Sequence, residues 1–241
     1  MSLIIEAKEY NIMRNGEDNM KKINMIISIL TLFFFAFLIN SGFAIAQELP
    51  KAELPVLTTS AGQSPDVTTL NIVCEEAGIM YDYCDVPDVD MLGSGVGLAG
   101  KESTESGFHV EINTDLEQFP EGTPYKTIMF AIGASLKGMG ASGLTVDDEV
   151  NRLKSIIDYC KENHIFIIGI HVGGVSKRGA PGSDNEKMIT AVAPYADLLI
   201  VAKDSNKDGR FTEISNSNDI PLREIDYALN LVPLLTEIFN L

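Results

Sequence analysis

Three apolar runs of strand length, Thr127 to Ile132, Ile165 to Ile170 and Asp197 to Ala202, constrain this chain more than any other feature of it. Continuous apolar runs are what strands buried on both faces require. Helical patterns separate them. Thr145-Val146-Asp147-Asp148 is an N-cap with acids in the first turn, and apolar residues at helical spacing continue to Asn163. Ser183-Asp184 caps a second helix that is expected to end near Tyr195. Upstream, Pro55 to Thr59 is a brief extended run, and Ser64-Pro65-Asp66 opens a helix that reaches about Ala77 and stops at Gly78. Ile79 to Tyr83 is expected as a further strand, and His109 to Ile112 and Pro221 to Ile225 as short edge strands. Phe211 to Ser215 reads as a short helix, and a last helix reaches Phe239 with a bend at Pro233. Strands alternating with helices imply a parallel sheet covered on both faces. The expected fold is α/β, a three-layer sandwich with a Rossmann-like or flavodoxin-like open parallel sheet of about five or six strands.

The first 46 residues follow another logic. Met20-Lys21-Lys22 is basic, Ile23 to Ile39 is mostly apolar, and Ala44-x-Ala46 supplies small residues at a cleavage spacing. This is the pattern of a secretory signal peptide over 20–46; an uncleaved membrane anchor is the alternative, at the short limit of a span. Residues 1–19 read as a mis-called start or a tag, 47–54 as a linker, and 55–241 as a single α/β domain. The expected location is outside the cytoplasm, periplasmic or extracellular.

The net charge of −16 excludes nucleic acid as a partner, because such a protein must neutralise phosphates, and it disfavours anionic membrane. Three cysteines leave at least one thiol unpaired. Cys74 and Cys160 fall on apolar helix faces and read as small buried hydrophobes, while a Cys74–Cys84 disulfide stays open. Gly95-x-Gly97-x-x-Gly100 spells a dinucleotide fingerprint, but a polar, aperiodic stretch follows it where a helix is needed, so a flexible loop is expected instead.

In open α/β sheets ligands bind beyond the carboxyl ends of the strands. The loops expected there carry Ser60, Gly62, Gln63 and Ser64; then Gly133, Ser135, Lys137, Gly138 and Gly140; then His171, Gly173, Gly174, Lys177 and Arg178, with Asp184 opening the next helix. Glycines let backbone approach a ligand, and Lys137, Lys177 and Arg178 would meet negative charge. The competing reading is that the glycines only make tight strand-to-helix connections. A small anionic ligand is therefore the expected partner. For catalysis, His171 is the candidate base, Ser60 and Ser135 (with Ser64) the candidate nucleophiles, and Asp184 the candidate orienting acid of a hydrolase or transferase. Asp204-x-Asn206-x-Asp208-Gly209 matches the first half of an EF-hand loop, so calcium is considered as a cofactor there, although Ser215 stands where the bidentate glutamate belongs.

The blocks TTSAGQSPD, GASLKGMGASG, HVGGVSKRG with Ser183-Asp184, and NKDGRFTEI with NDIPL resemble those of a family of exported bacterial proteins known as a domain of unknown function. The resemblance runs from about Pro55 to Phe239. It implies export, an α/β fold and a set of loops at one sheet edge, with Pro87 to Tyr125 as a variable insertion. It implies no activity.

Overall fold

The computed structural model describes residues 49–105 and 108–241, and within the leading unit only Met20, Met25, Ile27 and Ser28. The expected leader therefore lies almost entirely outside the described residues. Among those described, no helix is long and apolar enough to cross a membrane.

Seven strands form one sheet: β1 (Val56–Ala61), β2 (Tyr81–Cys84), β3 (Val110–Ile112), β4 (Thr127–Ile132), β5 (Phe166–His171), β6 (Leu198–Ala202) and β7 (Leu222–Ile225). Their order is β3-β2-β1-β4-β5-β6-β7, and every pairing is parallel except the short antiparallel β2–β3 edge. The open parallel α/β sandwich read from the sequence is this fold, with both expected edge strands in place and seven strands where about five or six were expected. The chain walks outward from β1 to β3, returns to the other side of β1 with β4, and then walks to β7. Strand order thus reverses between β1 and β4, which is where such sheets open a crevice at their carboxyl ends.

Helices α1 (Asp66–Glu76), α2 (Val89–Ser94), α3 (Leu136–Ala141), α4 (Val146–Glu162), α5 (Asp184–Val192), α6 (Arg210–Asn218) and α7 (Leu231–Phe239) complete the described architecture. One core layer packs Leu70 and Val73 of α1 and Leu231, Leu235 and Ile238 of α7 against Met129, Ala131, Ile168, Ile170 and Ile200. The other packs Leu153 and Ile156 of α4, Met188 and Ile189 of α5, and Phe211 and Ile214 of α6 against Ile128, Phe130, Ile132 and Val201. Alternate residues of one strand feed opposite layers, as the period of two demands. Thr145 caps α4 in a capping box with Asp148. Pro233 falls in the first turn of α7, where its missing N–H is spare, so the expected bend has no cause.

Four expectations need correction. Residues 49–54 are docked rather than a free linker: Leu49 and Ala52 are buried in the α1–α7 layer, and the Ala52 N–H donates to the Ile238 carbonyl at 3.1 Å. The disulfide is ruled out by layer, since Cys74 lies on the α1 side of the sheet and Cys84 on the α4 side. Burial pushes the thiols of Cys84 and Cys160 up to about 12, so both stay protonated. The glycine stretch after Met91 is no flexible loop either. Val96 and Leu98 are buried, and the Gly97 N–H donates at 2.8 Å to Asp82, a fully buried acid that also accepts from the Tyr125 hydroxyl (2.6 Å) and the Thr114 N–H (3.3 Å). Asp82 thereby ties the Pro87–Tyr125 segment to β2. Finally, α3 forms despite two glycines within it, because Ser135 caps it and Gln63 packs where a Gly138 side chain would be.

Candidate functional site

The loops after β1, β4 and β5 do gather at one rim, and they are stitched to one another. The Ser135 N–H donates to the Gly62 carbonyl at 2.7 Å and the Gly133 N–H to the Ala61 carbonyl at 3.0 Å. Asn185 bridges further: its Oδ1 accepts from the Ala134 N–H at 2.7 Å, and its amide donates to the Arg178 carbonyl at 2.8 Å. From below, Glu149 of α4, with no exposed surface, takes the Gly62 N–H at 2.7 Å. Arg152 neutralises that carboxylate through two bonds of 2.8 and 2.7 Å and donates to the Ser60 carbonyl at 3.0 Å. A buried carboxylate needs such a partner.

The rim glycines are explained by this stitching. A Cβ on Gly62 would lie 2.5 Å from the Gly133 oxygen, and one on Gly173 would lie 2.4 Å from Asp66 Oδ2. Gly133 and Gly138 likewise face Ser64 and Gln63. Much of the bare backbone is needed by a neighbouring loop, so the tight-connection reading accounts for these positions. Gly140 differs, with open space around it, and Gly174 takes a left-handed φ of +68° beside Asp204.

His171 is fully buried on the α6 side of β5, with its ring 5.1 Å from that of Phe211. Its Nε2 faces the Lys177 carbonyl at 3.3 Å and must donate there, which leaves Nδ1 to accept from the Ser205 hydroxyl at 3.0 Å. Neither Ser60 nor Ser135 is its partner. Ser135 Oγ caps α3, and Asp184 pairs with Lys187 at 3.5 Å. Burial holds the His171 imidazole below its ordinary value near 6.5, with nearby Arg178 adding to the effect. The folded state therefore binds fewer protons than the unfolded one in the window below pH 6.5. Stability is complete above that pH and falls as the pH drops toward the folded-state value, by at most about 1.4 kcal/mol per pH unit. Urea titrations at pH 7.5 and 5.5 should show this loss in the parent and a smaller one in His171→Asn.

Arg178 is also committed internally. It is 8 % exposed; it bonds Glu186 at 2.9 Å, reaches both Asp208 oxygens at 3.0 Å, donates to the Ser205 carbonyl, and lies over the Phe211 ring at 5.3 Å. Among the described residues Lys137 and Lys177 form no ion pair. The family profile of a domain of unknown function, DUF6305, matches residues 53–239. The chain belongs to that family. No curated protein and no solved structure matches it.

The DUF6305 domain uses its calcium-like loop for packing. Asn206 Oδ1 accepts from the Phe211 and Thr212 N–H groups, its amide donates to Thr212 and Glu224, and Asp208 holds Arg178. Among the described residues no three His, Cys, Asp or Glu side chains gather as metal ligands.

Two groups at the rim of the DUF6305 domain keep unspent capacity. Among the described residues the Ser60 hydroxyl, 1 % exposed, has no partner, and neither has Oδ2 of half-buried Asp66. Asp66 escaped the sequence reading because an acid after Ser-Pro is the ordinary companion of a helix start. Glu149, Arg152 and Ser205 escaped it because an acid and an arginine three residues apart on a helix, or a serine in a polar turn, carry no mark of burial.

Proposed function

We propose that this domain is an exported binding module that holds a small ligand on the rim formed by the loops after β1, β4 and β5, at the carboxyl edge of the sheet. The ligand carries an anionic group for Lys137 and Lys177 and a hydrogen-bond donor for Asp66. One observation carries the reading: in an edge where Arg152 and Arg178 are each neutralised by a carboxylate, Lys137, Lys177 and one oxygen of Asp66 are left uncompensated at the strand-order reversal. The Asp66 oxygen and the Lys177 stem crowd the same point beside Gly173 without pairing. A buried polar atom without a partner costs on the order of 1–3 kcal/mol, which a ligand donor would recover. Export rests on the basic start, apolar run and Ala44-x-Ala46 spacing of the leader. Binding is favoured over hydrolysis or group transfer because both ring nitrogens of His171 are engaged inside the fold and its hydroxyl partner, Ser205, is 1 % exposed.

Native mass spectrometry of the purified protein tests this. A small molecule should be retained by the parent and lost from both Lys137→Ala and Asp66→Asn, with circular dichroism unchanged. An empty parent, or a ligand retained equally by all three, would overturn the reading.

A further inference from the structure

Beside that rim, and sharing the Arg178 turn with it, a groove of about 780 Å³ runs between α4 and α5 on the outside of the sandwich. Two amphipathic helices on one sheet face ordinarily close their seam with interlocking side chains. Here the seam is left open. Val150 and Ile157 line the α4 side, Thr190 and Ala191 the α5 side, and Tyr195, half exposed, stands at one end. The hollow has the size of a small-molecule site, and at about 30 Å³ per molecule it holds on the order of two dozen waters. Releasing water from a largely apolar hollow favours an apolar occupant.

The charge pattern defines that occupant further. In a chain of net charge −16, the groove is lined by four acidic and four basic residues. The basic ones are already matched: Lys154 to Asp158, Lys187 to Asp184, Arg178 to Glu186 and Asp208, and Arg210 to Glu186 and Glu213. Their aliphatic stems add to the apolar wall while their heads are spent. An anionic ligand would have to share these cations with the carboxylates that already hold them. A cationic one would find, among the described residues that line the groove, only Asp147, exposed in the first turn of α4, without an ion pair. We propose that the α4–α5 groove is a ligand site of its own, and that it takes an uncharged, largely apolar small molecule.

Two related dyes provide the test. N-phenyl-1-naphthylamine is uncharged at neutral pH, and 8-anilinonaphthalene-1-sulfonate is the same skeleton with a fixed negative charge. The uncharged dye should bind saturably, one per chain, with blue-shifted emission, and the sulfonate at least about tenfold more weakly, because its charge would be desolvated without a partner. Ala191→Trp should fill the groove and weaken the uncharged dye by more than about tenfold, since a tenfold loss corresponds to only about 1.4 kcal/mol of binding. Thr190→Phe, at an exposed lining position, provides a second filling variant should the first perturb the helix. Asp66→Asn should leave dye binding unchanged, so failure of the rim-ligand reading and failure of this one are separable. Equal affinity for both dyes, no saturable site, or binding that survives both filling variants overturns the proposal. So does a dimer that forms with rising protein concentration and expels the dye, because the groove would then belong to a second copy.

Discussion

Arg178→Leu is expected to lower the unfolding free energy by about 3 kcal/mol, the lower end of the range for breaking a buried ion pair. The leucine would leave Glu186, itself 8 % exposed, without its main cation, and the Ser205 carbonyl without a donor. The Asp208 arm contributes less. That side chain is 61 % exposed, and exposed pairs are worth roughly 0–1 kcal/mol. Arg210, 3.6 Å from Glu186, can take up part of the abandoned charge, which keeps the figure near the bottom of the range. For a domain of this size the change corresponds to roughly 6–12 °C in Tm. Urea unfolding measures it directly. Arg178→Lys should fall between the two, keeping the charge but losing the planar fork that reaches Glu186 and both Asp208 oxygens. If Arg178 served a ligand and not the fold, the leucine variant would unfold like the parent.

The pairing also has a pH signature. Hydrogen bonds from Arg178 hold the Asp208 carboxyl below the usual carboxylate range. Its contribution is therefore present above the ordinary carboxylate value and is lost as the pH falls through the lowered one. This loss lies at more acid pH than that of His171, so the two separate on one titration.

What the sequence disclosed and what it hid divide along a physical line. Periodicity reports burial, so the apolar runs at Thr127, Ile165 and Asp197 and the caps at Thr145 and Ser183 located the central strands and their helices. Edges were harder. β3 and β7 are short and part-exposed, so their alternation is weak; both segments were legible as edge strands, but the expected count of about five or six strands fell short of the seven observed. The gathering of the Ser60, Ser135 and His171 loops was legible because a parallel sheet puts successive carboxyl ends on one side. What each residue does there was not. Lys137 and Arg178 look alike in a sequence, yet among the described residues the lysine is exposed without an ion pair and the arginine is saturated by two acids, one in the next helix and one 30 residues on. Which cation remains free depends on Glu186 and Asp208 folding back upon it, and residue type alone carries no such information.

The same ambiguity attaches to glycine, and one substitution resolves it with a large effect. Gly62 follows β1 at the strand-order reversal, with φ at +87°. Alanine there would meet the left-handed penalty of about 1–2 kcal/mol. Its Cβ would also lie 2.5 Å from the Gly133 oxygen and 2.9 Å from the Ala134 Cα. Met188 Cγ, at 2.6 Å, is a flexible neighbour and can give way, but backbone cannot without disturbing the bond from the Ser135 N–H to the Gly62 carbonyl and that from the Gly62 N–H to Glu149. Overpacking of this kind adds about 1–3 kcal/mol. Gly62→Ala should therefore destabilise the domain by about 2–5 kcal/mol. Gly140→Ala, inside α3 with nothing within 4 Å, should do the reverse and stabilise by roughly 0.4–1 kcal/mol. Denaturant midpoints of the two variants beside the parent decide the matter. Opposite signs mean that the rim glycines are bare because other loops lie against them. A Gly62→Ala protein as stable as the parent would mean that the loop contacts yield and that the backbone was left open for something else.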